Sequence, residues 1–221
     1  MTDNMRVIIT GTTGMIGEGV LIECLADPVI KEVLSVSRKP TGKKHPKLKE
    51  YVVADFLSLK EDDAALKGYD ACFYCAGISA VGKTEEEYKK ITYDTTLHFA
   101  RVLNPNPQIS FIYVSGGGTD STEKGRMMWA RVKGKTENDL AKLPFRQTFG
   151  FRIGFVKPSA GQQHVLSSYK YISWLFPVIR ILFPFMYNTM KQVAQAMIYV
   201  AQHGYKRNVV YVKDIHSISK L

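Results

Sequence analysis

Acidic side chains are in short supply in this chain, and so are cysteines. Against 30 Lys and Arg there are 20 Asp and Glu, a formal charge of +10 over 221 residues. That balance favours anionic ligands. The lysines cluster at 39–49 and are otherwise scattered. With no arginine-rich helix and no ladder of basic and aromatic residues, nucleic acid is not the expected partner. Three cysteines, at 24, 72 and 75, are too few for a disulfide framework and point to reduced thiols in a cytoplasmic protein. Cys72-Phe73-Tyr74-Cys75 has the spacing of a redox or zinc pair, but it lies in the apolar run 71–76. No second Cys pair or His cluster completes it, so it reads as two core cysteines in a buried strand, and no metal site is expected. Asp3 and Asn4 directly precede the first strand, which does not read as a signal peptide. Internal repeats and low-complexity linkers are absent as well.

What the chain does have is glycine at a telling place. Thr10-Gly11-Thr12-Thr13-Gly14-Met15-Ile16-Gly17 follows the β-branched run Arg6-Val7-Ile8-Ile9 and precedes the helix-like Gly19-Val20-Leu21-Ile22-Glu23-Cys24-Leu25. A glycine-rich turn between a strand and a helix is a phosphate cradle. Gly11 and Gly14 let the backbone approach a pyrophosphate, and Gly17 lets the helix pack close to the strand. The helix N-terminus then aims its free N–H groups and positive dipole at the anion.

A second strand, 32–37, ends in Arg38 and Lys39. In a βαβ nucleotide fold this tip meets the adenosine ribose, where an acid binds the 2′-hydroxyl and an arginine accommodates a 2′-phosphate. No acid stands there, and the Arg38 fork suits phosphate, so NADP is expected over NAD. The plainer reading is a solvated basic loop, since Lys43, Lys44, Lys47 and Lys49 follow.

Strands are predicted near 6–10, 32–37, 50–54, 70–76, 108–115, 148–156 and 208–212. Helices are predicted near 15–26, 59–67, 84–103, 126–142 and 189–203. The alternation predicts one α/β domain over 1–221, with a parallel sheet covered on both faces. Ligands bind such sheets beyond the carboxyl ends of the strands, and Gly11, Arg38, Asp55, Gly77, Ser115 and Gly154 all fall there.

The order and spacing of these pieces resemble the short-chain dehydrogenase/reductase superfamily in an atypical form. The pieces are Thr-Gly-x-x-Gly-x-x-Gly at 10–17, Val53-Ala54-Asp55-Phe56, Tyr74-Cys75-Ala76-Gly77, Ile112-Tyr113-Val114-Ser115, Val132-Lys133-Gly134-Lys135-Thr136-Glu137 and Phe151-Arg152-Ile153-Gly154. The chain is particularly similar to the HIV Tat-interacting-protein-like oxidoreductases and to epimerase/dehydratase-like proteins. The resemblance implies a Rossmann fold, doubly wound, with a small substrate-side extension at about 158–188. It implies that Asp55 accepts a hydrogen bond from the adenine amino group with Phe56 beside the ring. Cys75, Ala76 and Gly77 would line the adenine ribose, and Lys133 would hold the nicotinamide ribose. Ser115 would hydrogen-bond a substrate oxygen. Ile153 and Gly154 would sit near the carboxamide, although the family commonly has Pro where Ile153 stands. Asp55 and Gly77 also read as simple turn residues.

The departure is at the catalytic tyrosine. The superfamily places Tyr one helical turn before the lysine, and here that position is Trp129. An indole N–H donates a hydrogen bond but does not ionise usefully. Tyr187-Asn188-Thr189-Met190-Lys191 matches the pattern literally, yet it reads as a chance match at a helix start, with Asn188 or Thr189 as cap. The expectation is an NADP(H)-dependent oxidoreductase acting on a small, fairly apolar carbonyl or quinone-like acceptor, with Ser115 orienting it and water supplying the proton. The alternative is a catalytically silent NADP(H)-binding regulator or partner-binding module, for which losing Tyr costs nothing. A nucleotide-sugar epimerase fits less well, because the C-terminal part is short. The aromatic stretch 169–187 is too short and too interrupted to span a bilayer, with Pro177, Arg180 and Pro184 inside it. It reads either as a cover for the substrate or as an exposed patch for a homodimer or a membrane surface.

Overall fold

The computed structural model describes residues 4–61, 63–165 and 184–221. Seven strands form one sheet: β1 (Met5–Thr10), β2 (Ile30–Ser37), β3 (Leu48–Val52), β4 (Ala71–Tyr74), β5 (Ser110–Val114), β6 (Gln147–Arg152) and β9 (Val209–Tyr211). Their order is β3-β2-β1-β4-β5-β6-β9, and every pairing is parallel. The order reverses between β1 and β4, the place where a doubly wound sheet opens a crevice at its carboxyl edge.

The strands are apolar on both sides, as a sheet covered by helices requires. Side chains alternate between two cores. Val7, Ile9, Phe73 and Ile112 join the helix α1 (Met15–Ala26) and the helix α5 (Met190–His203) on one face. Ile8, Cys72, Tyr74, Phe111 and Tyr113 face the opposite way. There they meet Leu97, Phe99 and Ala100 of α3 (Thr95–Val102) and Leu140 of α4 (Met128–Leu140). Cys24 and Cys72 are buried and Cys75 half-buried, all as free thiols, and burial pushes the Cys75 thiol up to about 12.

Several predicted elements differ. The helix expected at 59–67 is absent. Two 3₁₀ turns, Phe56–Ser58 and Ala64–Leu66, stand near it, capped by the Asp55 and Asp63 side chains. The helix expected at 84–103 is continuous but uneven: α2 (Glu85–Lys89), a π turn at Lys90–Asp94, then α3. The strand expected at 148–156 divides into β6 and β7 (Phe155–Lys157), and β7 pairs instead with β8 (Tyr187–Thr189). A helix α6 (Val212–Ile218) follows β9 without having been anticipated. Thr189 caps α5 in a reciprocal box with Gln192, so the literal Tyr-x-x-x-Lys match spans a strand-to-helix turn. The expected substrate-side extension lies largely outside the described residues, which resume at 184 with a 3₁₀ turn, Pro184–Met186.

Candidate functional site

The turn after β1 is shaped by missing side chains. Gly11 holds φ +68°, and a Cβ there would stand 2.7 Å from the backbone of Ala76, so the β1 turn and the end of β4 touch. A Cβ on Gly17 would lie 2.2 Å from the Gly11 carbonyl oxygen, which fixes how closely α1 approaches β1. Gly14 is different. It is exposed, and its Cβ would meet only the Gly11 oxygen, at 3.4 Å. At Gly77 a Cβ would meet nothing within 4 Å. Gly14 is also the N-cap of α1 and makes no side-chain cap, leaving first-turn donors facing the open trough. These residues fit a pyrophosphate.

Hydroxyls brace the trough from behind. Thr10 Oγ1 accepts from the amides of Cys75 and Ala76, both at 3.1 Å, and Thr12 shares a 2.6 Å bond with Ser35 on β2. Thr12 and Met15 are buried and Thr13 and Ile16 half-buried, so Thr12 and Met15 can meet a ligand only through their backbone.

Beside the turn, beyond the ends of β2 and β4, lies a cleft of about 500 Å³ whose lining includes Arg38, Asp55, Phe56, Tyr74, Ala76 and Gly77. Lys83 and Lys90 add two further cations to its wall. Arg38 and Lys39 are exposed. Phe56 is largely buried against Phe99, with ring centroids 5.3 Å apart, so it offers the cleft an edge of an interior ring. Asp55 Oδ1 accepts from the Leu57 amide at 2.9 Å and thus forms the turn, leaving its other oxygen without that duty.

Lys43 is not a loose member of a basic loop. Its ammonium sits 2.9 Å from Glu18, a fully buried carboxylate in α1. Glu18 also accepts from the amides of Gln163 (2.9 and 3.0 Å) and His164 (2.6 Å). Burial opposes its ionisation, but the His164 and Gln163 amides and Lys43 outweigh that and hold Glu18 below the usual carboxylate range.

Ser115 follows β5, and its amide bonds the Phe151 carbonyl at 2.9 Å. Its hydroxyl donates to Glu137 Oε1 at 2.5 Å. Glu137, on α4, is gripped by Arg152 of β6: Nε reaches Oε1 at 3.3 Å and Oε2 at 3.2 Å, and Nη2 reaches Oε2 at 2.5 Å. Arg152 Nη2 also donates to Ser121, and its guanidinium lies 5.5 Å from the Tyr211 ring centroid. Glu137 and Arg152 are both buried, and each satisfies the other. A Cβ on Gly150 would lie 2.5 Å from Glu137 Oε1, so that glycine makes room for the carboxylate.

One turn earlier on α4, Lys133 lies along β5. Its ammonium is 3.5 Å from the Val114 carbonyl and 5.3 Å from the Tyr113 ring centroid. Burial lowers it to about 8, with the Glu137 charge opposing the shift. Trp129 packs its six-membered ring on the turn 116–118, where a Cβ on Gly118 would come within 2.8 Å of the ring. The Ile153 carbonyl is taken by the Gly117 amide at 2.9 Å. Gly154 is required by Met186, whose carbonyl oxygen would stand 2.2 Å from a Cβ. Among the described residues no cluster of three or more potential metal ligands occurs.

Glu137 and Arg152 stand inside two of the sequence pieces quoted above and Glu18 directly follows the glycine turn, but the sequence alone assigned none of them a role. A lone arginine inside the apolar strand 148–153 was the available signal, since a buried charge requires a partner.

This sheet order, the glycine turn and the open crevice define a Rossmann-type α/β protein. The chain belongs to the NAD dependent epimerase/dehydratase family, which it matches over residues 7–118, from β1 to the glycine turn after Ser115. It is 30% identical over 143 residues to Leucinostatins biosynthesis cluster protein T of Purpureocillium lilacinum, covering 63% of this chain but only 52% of that protein. It is 26% identical over 165 residues to Protein fmp52, mitochondrial, of Emericella nidulans, covering 72% of this chain and 68% of the relative. Its fold is that of MoeE5 in complex with UDP-glucose and NAD (TM-score 0.65, 18% identity, 97% of this chain and 80% of that one). It is also that of UDP-glucose 4-epimerase from Bifidobacterium longum in complex with NAD+ and UDP (TM-score 0.62, 19% identity, 93% and 76%). The expectation of a cytoplasmic location is overturned here: relatives from Emericella nidulans, Chaetomium globosum and Debaryomyces hansenii all carry the name mitochondrial. The count of cysteines reports redox state, and reduced thiols are not peculiar to one compartment.

Proposed function

We propose that this protein is an NADP(H)-dependent oxidoreductase acting on a small, fairly apolar substrate that interconverts between alcohol and carbonyl, or a quinone-like equivalent. The observation that carries the reading is convergence. The open cradle at Gly14 and Gly77, the Arg38 cleft, and the Ser115–Lys133 pair all lie at the carboxyl edge of one sheet. The nicotinamide cofactor supplies hydride transfer when bound. The backbone of 11–17 holds the pyrophosphate, and Asp55, Phe56, Cys75, Ala76 and Gly77 border the adenosine. Arg38 and Lys39 meet the 2′-phosphate, Lys133 meets the nicotinamide ribose, Ile153 and Gly154 border the carboxamide, and Ser115 holds the reacting oxygen. The names of the fmp52 relatives support a mitochondrial location.

Calorimetric titration tests the cofactor assignment. NADPH is expected to bind at least about tenfold tighter than NADH, because charge-assisted contacts contribute about 1.5–3 kcal/mol. Arg38→Ala removes most of the difference. Equal affinities in the natural protein reject NADP preference.

Trp129 favours a second reading, an NADP(H)-binding module without turnover, since positioned acid catalysis is typically worth 10²–10⁴-fold and the usual acid is missing. Following NADPH oxidation over a panel of carbonyls and quinones separates the two. Tight cofactor binding with no oxidation, in the natural protein and in Trp129→Tyr alike, selects the module.

A further inference from the structure

The buried network behind Ser115 sets the polarity of the substrate subsite. A serine hydroxyl has one proton and two lone pairs. The Ser115 proton is committed to Glu137 Oε1 at 2.5 Å. Glu137 cannot release it by becoming a donor, because its other close partner, Arg152, has donors only and covers both carboxylate oxygens. Among the described residues no other donor reaches Ser115 Oγ, so its lone pairs are what remain. The Lys133 ammonium beside it is turned to the Val114 carbonyl and the Tyr113 ring.

We infer that Ser115 meets its ligand as a hydrogen-bond acceptor, that Glu137 is the positioning residue that fixes this polarity, and that the subsite therefore selects a hydroxyl-bearing ligand over the corresponding carbonyl. This rests on the proposed reading that Ser115 faces the substrate. In a superfamily protein with a catalytic tyrosine, a phenol can donate to a carbonyl oxygen. Here Trp129 stands in its place, packed on the glycine turn, and nothing relieves Ser115 of its orientation. Glu137 joins α4 to β6 through Arg152, so the polarity is part of the framework and does not rotate with a loose side chain.

The test uses 1-phenylethanol and acetophenone as a matched pair. Their binding to the NADP⁺-loaded protein is read by saturation-transfer NMR, with NADPH absorbance followed so that any oxidation of the alcohol is kept negligible. The alcohol is expected to bind about fivefold tighter or more, the size of one net hydrogen bond, and Ser115→Ala abolishes that preference. Glu137→Gln keeps the shape, turns an amide oxygen to Arg152 and an amide N–H to Ser115, and so swings the serine proton outward. The preference then reverses towards the ketone, which loss of a merely structural carboxylate would not produce. If Glu137→Gln does not fold, the comparison of the natural protein with Ser115→Ala decides alone. Equal binding of both probes, or tighter ketone binding, with both weakened by Ser115→Ala, overturns the inference and leaves Ser115 at the ligand. Failure of both probes to bind, or affinities untouched by Ser115→Ala, overturns the inference together with the reading beneath it.

Discussion

Where α1 meets β1, the protein makes its site by withholding side chains; where α4 meets β5 and β6, it makes one by burying charged ones. Around Gly11, Gly14 and Gly17 the shape comes from backbone and vacant volume, braced by Thr10 and Thr12. Around Ser115 it comes from a carboxylate, a guanidinium and three hydroxyls in a closed network. The first design accommodates an anion through amides that any sequence possesses. The second fixes the orientation of one hydroxyl through side chains that only this arrangement supplies. Space can be filled without unfolding the protein, whereas a buried charge cannot lose its partner cheaply.

That contrast can be broken from the charged side first. Glu137→Ala strands Arg152 in the interior and is expected to lower stability by about 3–5 kcal/mol, read from urea unfolding. A midpoint close to that of the natural protein would mean the network carries no structural weight. Next is Gly17→Ala, where the added carbon meets a backbone oxygen. Overpacking of this kind costs about 1–3 kcal/mol, visible as a lower Tm. Gly14→Val sharpens the comparison from within the same turn. Gly14 is extended, at φ −113° and ψ 166°, so valine fits the backbone and fills the trough. Stability should move by no more than about 0.5 kcal/mol, while calorimetry detects no NADPH binding.

The smallest effect concerns Lys133. Burial holds its ammonium at about 8, below the ordinary lysine value of 10.5. Below pH 8 both folded and unfolded chains carry the proton, and the full desolvation cost is present. Between 8 and 10.5 the folded chain releases the proton first, so stability rises with pH across that window. Lys133→Met should remove this slope and raise Tm slightly at pH 7, while weakening cofactor binding. An unchanged slope would show the ammonium to be well solvated.

The glycine-shaped half was legible in the sequence because its causes are local. A strand, three spaced glycines and a helix lie between Met5 and Ala26, and the strands around them alternate recognisably. The charged half was not, because Glu137 and Arg152 meet only through the packing of α4 on β6. Trp129 was legible as a missing tyrosine, but its need for Gly118, where a Cβ would come within 2.8 Å of its ring, appears only in three dimensions. Local misreadings have local reasons. Phe56, Leu59 and Leu66 are buried at spacings that imitate a helix, yet the Asp55 and Asp63 side chains close the backbone into tighter turns. The strand expected to run through 156 breaks after Arg152, and Gly154 passes directly under Met186. α6 was missed because Val212, its first residue, was read as the end of the strand 208–212, and its seven residues offer too short a period to stand out.

Glu18 gives the fold a chronology. Its carboxylate is enclosed in the first helix, yet two of its donors, the amides of Gln163 and His164, arrive 145 and 146 positions later in the chain. A ribosome that has finished the glycine turn has therefore made a helix whose first turn is still incomplete, holding an interior charge with Lys43 alone to answer it. Contacts so distant in sequence form slowly. The opening thirty residues consequently stay provisional until the chain has passed residue 164, and a fragment cut short of that point would carry every recognisable letter of the nucleotide motif without its finished shape.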